Sequence, residues 1–422
     1  MTQLISYQQA LDIILTVAQQ HRLSSRQSIP LIDSNSRLLA DDVRSTINVP
    51  GFNNSAMDGF AIQSQLVNEA IAKFAEIKLQ VTGSIQAGDA ENNTLEASHM
   101  AWEIMTGAPV PDHFDAVIQI ENVSVSESNG KKFITIKELV QKGRNIRKLG
   151  TDYRVGEIVA NKHSILQAQH IMALATVGIS QIDVIEKLAV AIVSTGNELA
   201  KKSSKDLNSG KIFNSNQPFL STYVDYLNCE PVFVGRCKDD EEEFNTLLDE
   251  ALDKNVKIIF STGAVSMGKF DFIPKVLKDR GAHIHFHKAK IRPGKPILFA
   301  ELPNGTLYFG LPGNPIAAAA GMRFFASPFI RSLLGLAPEQ ALKAKLKSDI
   351  TKKQGFRTFA KAYAHIDESA QLCVDMLMDQ GSYQSCSFAQ SNCWLILPED
   401  LEIIRAGEII EIVPMVSQQL FF

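Results

Sequence analysis

One continuous apolar run, Leu188–Ser194 (LAVAIVS), constrains the fold of this chain more than any other segment. A run without polar alternation predicts a strand that is buried on both faces, as in a parallel sheet covered by helices. Strand-like and helix-like segments then alternate, with strands at Pro231–Gly235, Val256–Ser261 and Leu307–Leu311 and helices at about 215–227, 239–253 and 271–280. This alternation predicts an α/β domain with a largely parallel sheet.

The chain has 422 residues, which is too long for a single hydrophobic core. Residues 52–140 contain many short strand-like runs between Gly and Asn turns, so they predict a β-rich region. Strand-like periodicity returns beyond residue 334 and predicts a small separate β-domain. The first 20 residues have apolar positions at helical spacing and no basic leader, which predicts an amphipathic helix instead of a signal peptide.

Composition narrows the class of protein. The net charge is −4, whereas a nucleic-acid binder usually carries a basic excess. We find no apolar run of the length that spans a membrane, about 18 residues. The five cysteines form no Cys-x-x-Cys pair, which disfavours a zinc knuckle or a disulfide framework. A soluble protein of the reducing cytoplasm, without nucleic-acid or membrane partners, is the expectation.

Three small, polar turns follow strands of the predicted sheet, at Ser194–Glu198, Ser261–Lys269 and Leu311–Pro315. Ligands of open α/β sheets bind beyond the carboxyl ends of the strands, where such turns let backbone N–H groups approach an anion. The three turns together favour a ligand with a phosphate. The alternative is that they are ordinary strand-to-helix turns with caps, such as Asn314 before Pro315.

The segment Gly263–Lys269 fits Gly-x4-Gly-Lys, close to the phosphate loop of nucleotide hydrolases. That loop needs Ser or Thr next to ligate magnesium, and here the next residue is Phe270. The sequence therefore disfavours an ATPase. A basic group at Lys288, Lys290, Arg292 and Lys295 suits a multiply charged oxyanion, although a solvated basic face is the alternative.

His283, His285 and His287 alternate with apolar residues and would share one face of a strand. Same-face neighbours on a strand lie roughly 7 Å apart, which strains a shared metal site. An exposed strand face is the favoured interpretation of this cluster.

Seven further motifs together resemble those of the MoeA/gephyrin E-domain family, the molybdopterin molybdenumtransferases. They are PGFNNSAMDGF at 50–60, IMTGAPVP at 104–111, NIRKLGTD at 145–152, STGNEL at 194–199, GAVSMGKFDF at 263–272, IRPGKP at 291–296 and GLPGNP at 310–315. They occur in the family's order, and the C-terminal GEIIEIVPM is also family-like.

The resemblance implies a fold of four domains. An elongated linker domain would comprise residues 1–51 and 141–180, with a β-rich domain inserted at 52–140. Residues 181–333 would form a MogA-like α/β domain that binds molybdopterin, and residues 334–422 a C-terminal β-barrel. The implied reaction converts adenylylated molybdopterin and molybdate into molybdenum cofactor and AMP, with Mg²⁺.

The implied site residues fall into two groups. The catalytic group is Asp58, Thr106, Asp152, Glu198 and Asp271, of which Asp58 and Asp271 are candidate metal ligands. The group that binds molybdopterin and its phosphate is Ser194, Thr195, Gly196, Gly263, Ser266, Gly268, Lys288, Arg292, Lys295, Pro312 and Asn314. The family also implies a homodimer, with Asp58 and Asp271 in one cleft shared between subunits.

Some positions depart from the family's pattern. Arg292 stands where Lys is common, Asn197 where Asp is frequent, and GAVSMG where GGVSVG is common. These changes affect ligand geometry more than the class of reaction.

The motifs are also compatible with two other functions: an interaction scaffold, and the adenylyltransferase activity known for the isolated α/β domain. The presence of Asp58, Asp271 and Lys288 disfavours the first, and the β-rich insertion disfavours the second. The expected partners are the adenylyltransferase that supplies the substrate and the molybdoenzymes or carriers that accept the cofactor.

Overall fold

A computed structural model describes residues 4–21, 25–90, 99–200, 210–265 and 272–417. The chain forms two compact units. Residues 27–184 make up one unit, and residues 1–26 together with 185–422 make up the other.

The helices of the described residues are α1 (Tyr7–Gln20), α2 (Ser64–Phe74), α3 (Ala168–Thr176), α4 (Asn216–Asp225), α5 (Glu241–Leu252), α6 (Ile273–Asp279), α7 (Pro315–Gly321), α8 (Ser327–Leu333) and α9 (Ser385–Gln390). The strands up to residue 185 are β1 (Arg26–Pro30), β2 (Val43–Arg44), β3 (Asn54–Ser55), β4 (Gly59–Ile62), β5 (Ile77–Ile85), β6 (Met100–Ile104), β7 (Ala116–Gln119), β8 (Ser124–Ser128), β9 (Lys131–Ile136), β10 (Ile146–Arg147), β11 (Ile158–Ala160) and β12 (Gln181–Ile185). The later strands are β13 (Leu188–Thr195), β14 (Cys229–Cys237), β15 (Ile258–Thr262), β16 (His283–His287), β17 (Ile291–Arg292), β18 (Leu298–Glu301), β19 (Leu307–Leu311), β20 (Leu342–Leu346), β21 (Ile350–Thr351), β22 (Arg357–Ile366), β23 (Leu372–Met376), β24 (Cys393–Leu397), β25 (Ile403–Ile404) and β26 (Ile409–Pro414).

The unit of residues 27–184 contains a six-stranded mixed sheet in the order β7-β4-β6-β5-β9-β8. Strands β5 and β6 run parallel, and the other neighbours are antiparallel. Its inner face buries a core that includes Phe60, Ile118 and Ile134. The short strand pairs β1–β12, β2–β11 and β3–β10 lie outside this sheet. The β-rich character predicted for this region is confirmed.

The α/β part of the other unit has a six-stranded sheet in the order β14-β13-β15-β19-β18-β16. The first four strands are parallel, and β18 and β16 add antiparallel pairs at one edge. Seven of the eight residues of β13 are buried, because helices cover both faces of a parallel sheet. The predicted, largely parallel sheet is therefore confirmed, with two antiparallel strands that the apolar pattern did not distinguish.

The C-terminal part forms a closed β-barrel. Strands β22, β23, β20, β26 and β24 pair in that order, and β22 pairs again with β24 to close the ring. Alternate residues of these strands, including Ala362, Leu395 and Ile412, fill its interior. Closure removes the free sheet edges that would otherwise be open to pairing. Strand β17, from the basic loop of the α/β part, pairs with β22 of the barrel.

Helix α1 begins with a capping box, in which the side chains of Ser6 and Gln9 each accept a hydrogen bond from the other residue's backbone N–H. Its Tyr7 ring meets the rings of Phe325 and Phe359 edge-on, with centroids 5.5 and 5.4 Å away. The helix predicted at the N-terminus is thus present. It belongs to the unit of residues 1–26 and 185–422. The resemblance implied that residues 1–51 share a domain with residues 141–180, and that division stays a prediction.

Candidate functional site

Two sequence motifs of the 27–184 unit meet at a single carboxylate. The backbone N–H and the hydroxyl of Thr106 both donate to Oδ1 of Asp58, at 2.7 and 2.8 Å. These hydrogen bonds stabilise the ionised form and hold the pKa of Asp58 below its ordinary value, the backbone bond contributing most. Both side chains are exposed. Asp58 is therefore a fixed, ionised carboxylate that faces solvent.

The backbone around Asp58 leaves little freedom. The Ser55 hydroxyl donates to the carbonyl of Met57 at 2.6 Å, and Gly107 N–H donates to Ser55 O at 2.8 Å. Gly59 lies so close to β7 that a Cβ there would overlap the Ile118 carbonyl. The position of the carboxylate thus depends on close backbone packing behind it.

Asp152 lies in segment 145–152, which forms backbone hydrogen bonds with the residues around the start of segment 50–60. Its N–H donates to Val49 O at 2.9 Å, and Gly150 N–H donates to Pro50 O at 2.9 Å. The Asn53 side chain accepts from Leu149 N at 3.0 Å. The structure thereby brings segments 50–60, 104–111 and 145–152 together in one unit, as expected from their shared resemblance.

In the other unit, the three polar turns surround a cavity of about 670 Å³. Thr195, Gly196 and Glu198 line it from the first turn, Thr262 to Val265 from the second, and Pro312 to Pro315 from the third. The turns pack closely, because Gly263 has a φ of +94° and a Cβ at that position would overlap the Thr195 carbonyl. The predicted meeting of the three turns at one edge of the sheet is present.

Several N–H groups of these turns bond within the protein. Gly196 N–H donates to Cys237 O at 3.3 Å, Asn197 N–H to Asp239 Oδ2 at 3.2 Å, and Gly263 N–H to Leu311 O at 3.2 Å. Anion binding by this backbone stays a prediction. Ser194 and Thr195 are buried, and their hydroxyls bond to Thr262, which ties β13 to β15.

A second cavity, of about 1090 Å³, adjoins the first and shares Pro296, Pro312, Asn314 and Tyr383 with it. The exposed Arg292 and Lys295 line this cavity from the α/β part, and Lys352 and Lys353 line it from the barrel. Burial lowers the pKa of Lys352, against the attraction of Glu399 and Asp400. Four cationic side chains from two parts of the chain therefore surround this space.

A loop of the barrel forms the common wall of the two cavities. Asn314 is the N-cap residue of α7, but its side chain does not cap the helix. Its side-chain amide donates to Ser382 Oγ at 3.1 Å instead. Ile316 N–H donates to Ser382 O at 2.9 Å. These contacts fix the barrel loop of residues 380–385 against the turn that precedes α7.

The remaining predicted residues are placed differently. Lys288 is half-buried, has a φ of +108°, and does not line either cavity as far as the described residues define them. Ser266, Gly268 and Asp271, with Phe270, lie outside the described residues. Across the described ranges no group of three His, Cys, Asp or Glu side chains is arranged to hold a metal ion.

The three histidines of β16 do not form one exposed face. His283 is exposed, His285 is half-buried, and His287 is buried with Nε2 2.5 Å from Val265 O. Burial lowers the pKa of His285, and Glu301 opposes this effect from 3.8 Å. The expectation of an exposed strand face therefore holds only for His283.

Sequence reasoning missed several residues that line the cavities. Lys352, Lys353 and Tyr383 come from the barrel, and Asn216 is the first residue of α4. A signal existed for the two lysines, which form a basic pair before a turn. For Asn216 and Tyr383 no local pattern distinguished them from ordinary cap and loop residues.

Comparison with known proteins identifies the class of protein first. Residues 5–178 match the model of the MoeA N-terminal region (domain I and II), residues 191–332 match a probable molybdopterin binding domain, and residues 343–415 match the MoeA C-terminal region (domain IV). A crystal structure of the molybdopterin biosynthesis MoeA protein from Pyrococcus horikosii superposes with a TM-score of 0.81 at 26% identity. It covers 98% of this chain and 100% of that one.

Curated relatives then give the family. The molybdopterin molybdenumtransferase of Synechococcus elongatus is 33% identical over 97% of this chain and 99% of its own length. The enzyme of the same name from Haemophilus influenzae is 33% identical over 91% of this chain and 92% of its own length. The chain belongs to the molybdopterin molybdenumtransferase (MoeA) family, and the resemblance of its motifs is confirmed. Among the described residues, no helix has the length and apolar character needed to cross a membrane.

Proposed function

We propose that this protein is a molybdenum insertase, which converts adenylylated molybdopterin and molybdate into molybdenum cofactor and AMP. The observation that carries the proposal is the cationic cavity between the α/β part and the barrel, joined to the turn-lined cavity. Molybdate and the phosphates of the substrate are all oxyanions, and guanidinium and ammonium groups are their usual partners.

Arg292 and Lys295 are proposed to bind the oxyanion from the α/β side, with Lys352 and Lys353 opposite. The net charge of −4 gives the chain no general attraction for anions, so recognition depends on these local cations. Arg292 offers a planar fork for two oxygens, whereas Lys295 acts as a point charge.

Asp58 and Thr106 are proposed to act in the same reaction, in which the carboxylate would hold Mg²⁺ or orient a water molecule or an oxyanion. Mg²⁺ is commonly held by one or two carboxylates together with substrate phosphates, and Asp58 is proposed as one such carboxylate. Asp152, Glu198 and Asp271 remain candidates for the same role. Homodimer formation, a cytoplasmic location and substrate supply by an adenylyltransferase are also part of this proposal.

The test measures AMP release from adenylylated molybdopterin with and without molybdate. We expect release to depend on molybdate and to fall at least about tenfold in Lys295→Ala, because a charged hydrogen bond is lost. Lys290→Ala is the matched control, since Lys290 is exposed on the same loop but does not line either cavity. ATP turnover without any response to molybdate would contradict the proposal, and so would equal losses in the two variants.

A further inference from the structure

Asn216 has an unusual position at the start of α4. The residue is 8% exposed and lines the cavity between the three turns. Its Nδ2 donates to the carbonyl of Gly313 at 2.7 Å. Its Oδ1 is buried and has no hydrogen-bond partner among the described residues.

The orientation of this amide is fixed by its neighbour. A carbonyl oxygen only accepts hydrogen bonds, so a flipped amide would place two oxygens against each other at Gly313. The unpaired atom is therefore the oxygen. Buried acceptors without a partner are rare in folded proteins, and the missing partner must be a donor.

The rest of the described cavity wall carries carboxylates together with hydroxyl and amide groups, which can both donate and accept. The carboxylates of Glu198 and Asp239 line it, and no lysine or arginine is among its described lining residues. The N–H groups of Gly196 and Gly263, which could have faced an anion, bond within the protein. A phosphate brings only acceptors to such a wall, whereas a ring edge with N–H groups brings donors.

A divalent cation would also suit oxygen ligands. The described lining residues of the cavity include two carboxylates, Glu198 and Asp239, and the amides of Asn214, Asn216 and Asn314. In the part of the chain that is described, however, no three acidic, His or Cys side chains are arranged for a metal. Cations are available instead in the adjoining cavity, at Arg292 and Lys295. The two cavities therefore differ in charge: the described lining of the first includes carboxylates and no cation, and that of the second includes Arg292, Lys295, Lys352 and Lys353.

We propose that Oδ1 of Asn216 accepts a hydrogen bond from the 2-amino group of the bound pterin. The pterin ring then lies in the turn-lined cavity, and its phosphate points toward Arg292 and Lys295. This inference rests on the proposed function, because it takes the substrate to be a pterin. Under this inference, Asn216 determines specificity for the pterin ring and does not contribute to binding of the phosphate.

The experiment compares two probes that differ at this edge. Pterin carries a 2-amino group, whereas lumazine carries a 2-oxo group at the same position. Binding of each to the full chain is followed by the fluorescence of the probe, and binding of inorganic pyrophosphate by calorimetry. The variant is Asn216→Leu. The control is Asn228→Gly, which removes a second unpaired buried amide oxygen outside both cavities, at a residue whose φ of +57° suits glycine.

We expect the wild-type chain to bind pterin more tightly than lumazine. Asn216→Leu should weaken pterin binding about tenfold, as for the loss of one buried hydrogen bond, and should abolish the preference over lumazine. Pyrophosphate binding should not change, and Asn228→Gly should behave as wild type.

Two results would overturn the inference while leaving the proposed function intact: equal binding of the two probes by the wild-type chain, or unchanged pterin affinity in Asn216→Leu. The first of these needs no variant, so it decides the matter even if Asn216→Leu misfolds. A wild-type chain that binds neither probe would contradict both the inference and the pterin substrate of the proposed function.

Discussion

Replacement of Lys361 by methionine tests how the barrel shapes the two cavities. Lys361 is fully buried in β22, and its ammonium donates to Ser387 Oγ at 2.7 Å, Gln384 O at 3.1 Å and Gly381 O at 3.3 Å. Burial lowers its pKa, so the site is costly for a charge. Gly381 and Gln384 belong to the loop that presents Ser382 to the turn before α7, and Ser387 lies in α9, which follows that loop.

The expected loss of stability in Lys361→Met depends on which hydrogen bonds the three acceptors keep after the substitution. Three hydrogen bonds from a charged donor contribute roughly 1.5–3 kcal/mol each before the cost of burying the charge, which is several kcal/mol. Ser387 still donates to Asp379 O at 2.7 Å, and Gly381 O still accepts from Gln384 N at 3.1 Å. Lys361→Met should therefore lower the free energy of unfolding by about 2 kcal/mol, less than if every acceptor were left unpaired.

The chain supplies its own reporter for this measurement. Trp394 lies directly opposite Lys361 in the β22–β24 ladder and is 1% exposed. The other of the two tryptophans is Trp102, so a Trp102→Phe background isolates the barrel signal in urea unfolding. Lys347→Met is the control, because an exposed lysine of the same barrel should change stability by no more than about 0.5 kcal/mol.

A second measurement connects stability with the site. If Lys361 holds the loop, pyrophosphate binding to the folded variant should also weaken, while Lys347→Met leaves it unchanged. A Lys361→Met chain as stable as its parent would refute the reasoning about the buried ammonium. Normal pyrophosphate affinity in a destabilised variant would refute the link to the cavities.

The remaining predictions concern the carboxylate of the first unit. Asp58→Asn should leave thermal unfolding nearly unchanged and abolish AMP release, since Asp58 is exposed and its proposed role needs charge. In Thr106→Val the pKa of Asp58 should rise toward its ordinary value, because one of two hydrogen bonds to the ionised form is lost. The acid limb of the pH–rate profile should then move to higher pH, and an unchanged limb would contradict this. Gly59→Ala should lower the free energy of unfolding by about 1–3 kcal/mol, because its Cβ meets the backbone of Ile118 and β7 has to shift. Chemical denaturation checks this last value.

The fold was largely predictable because its signals are local. An uninterrupted apolar run identified β13, and the return of strand-like periodicity beyond 334 identified the barrel region. The antiparallel edge strands β18 and β16 were not distinguished, because the direction of a strand leaves little trace in its own residues. Closure of the barrel through β22–β24 depends on pairing across long sequence separation, which periodicity does not encode.

Site residues were predictable from the sequence only where the residues that act together lie in one short segment. The charge of a single loop predicted that Lys288, Lys290, Arg292 and Lys295 bind an oxyanion, and the structure places Arg292 and Lys295 at the cationic cavity. The composition of segments 50–60 and 104–111 could not assign them a role, because the bond between Asp58 and Thr106 joins residues 48 positions apart. Lys288 carried the same charge signal as its neighbours but does not line either cavity within the described chain.

The separation of carboxylates from cations gives a physical reason for two joined cavities. A substrate that carries both a donor-bearing heterocycle and several phosphates cannot be matched by one uniform surface, since a cationic wall repels ring N–H groups and an acidic wall repels phosphate. Here Asn216, Glu198 and Asp239 line one space, and Arg292 and Lys295 line the other, with the Pro312–Asn314 turn common to both. Because the barrel loop holds that turn through Ser382, movement of the loop would change both cavities at once. Binding of the pterin ring and binding of the phosphates would then be coupled through the Pro312–Asn314 turn. For this reason Lys361, which lines neither cavity among the described residues, is expected to affect pyrophosphate binding.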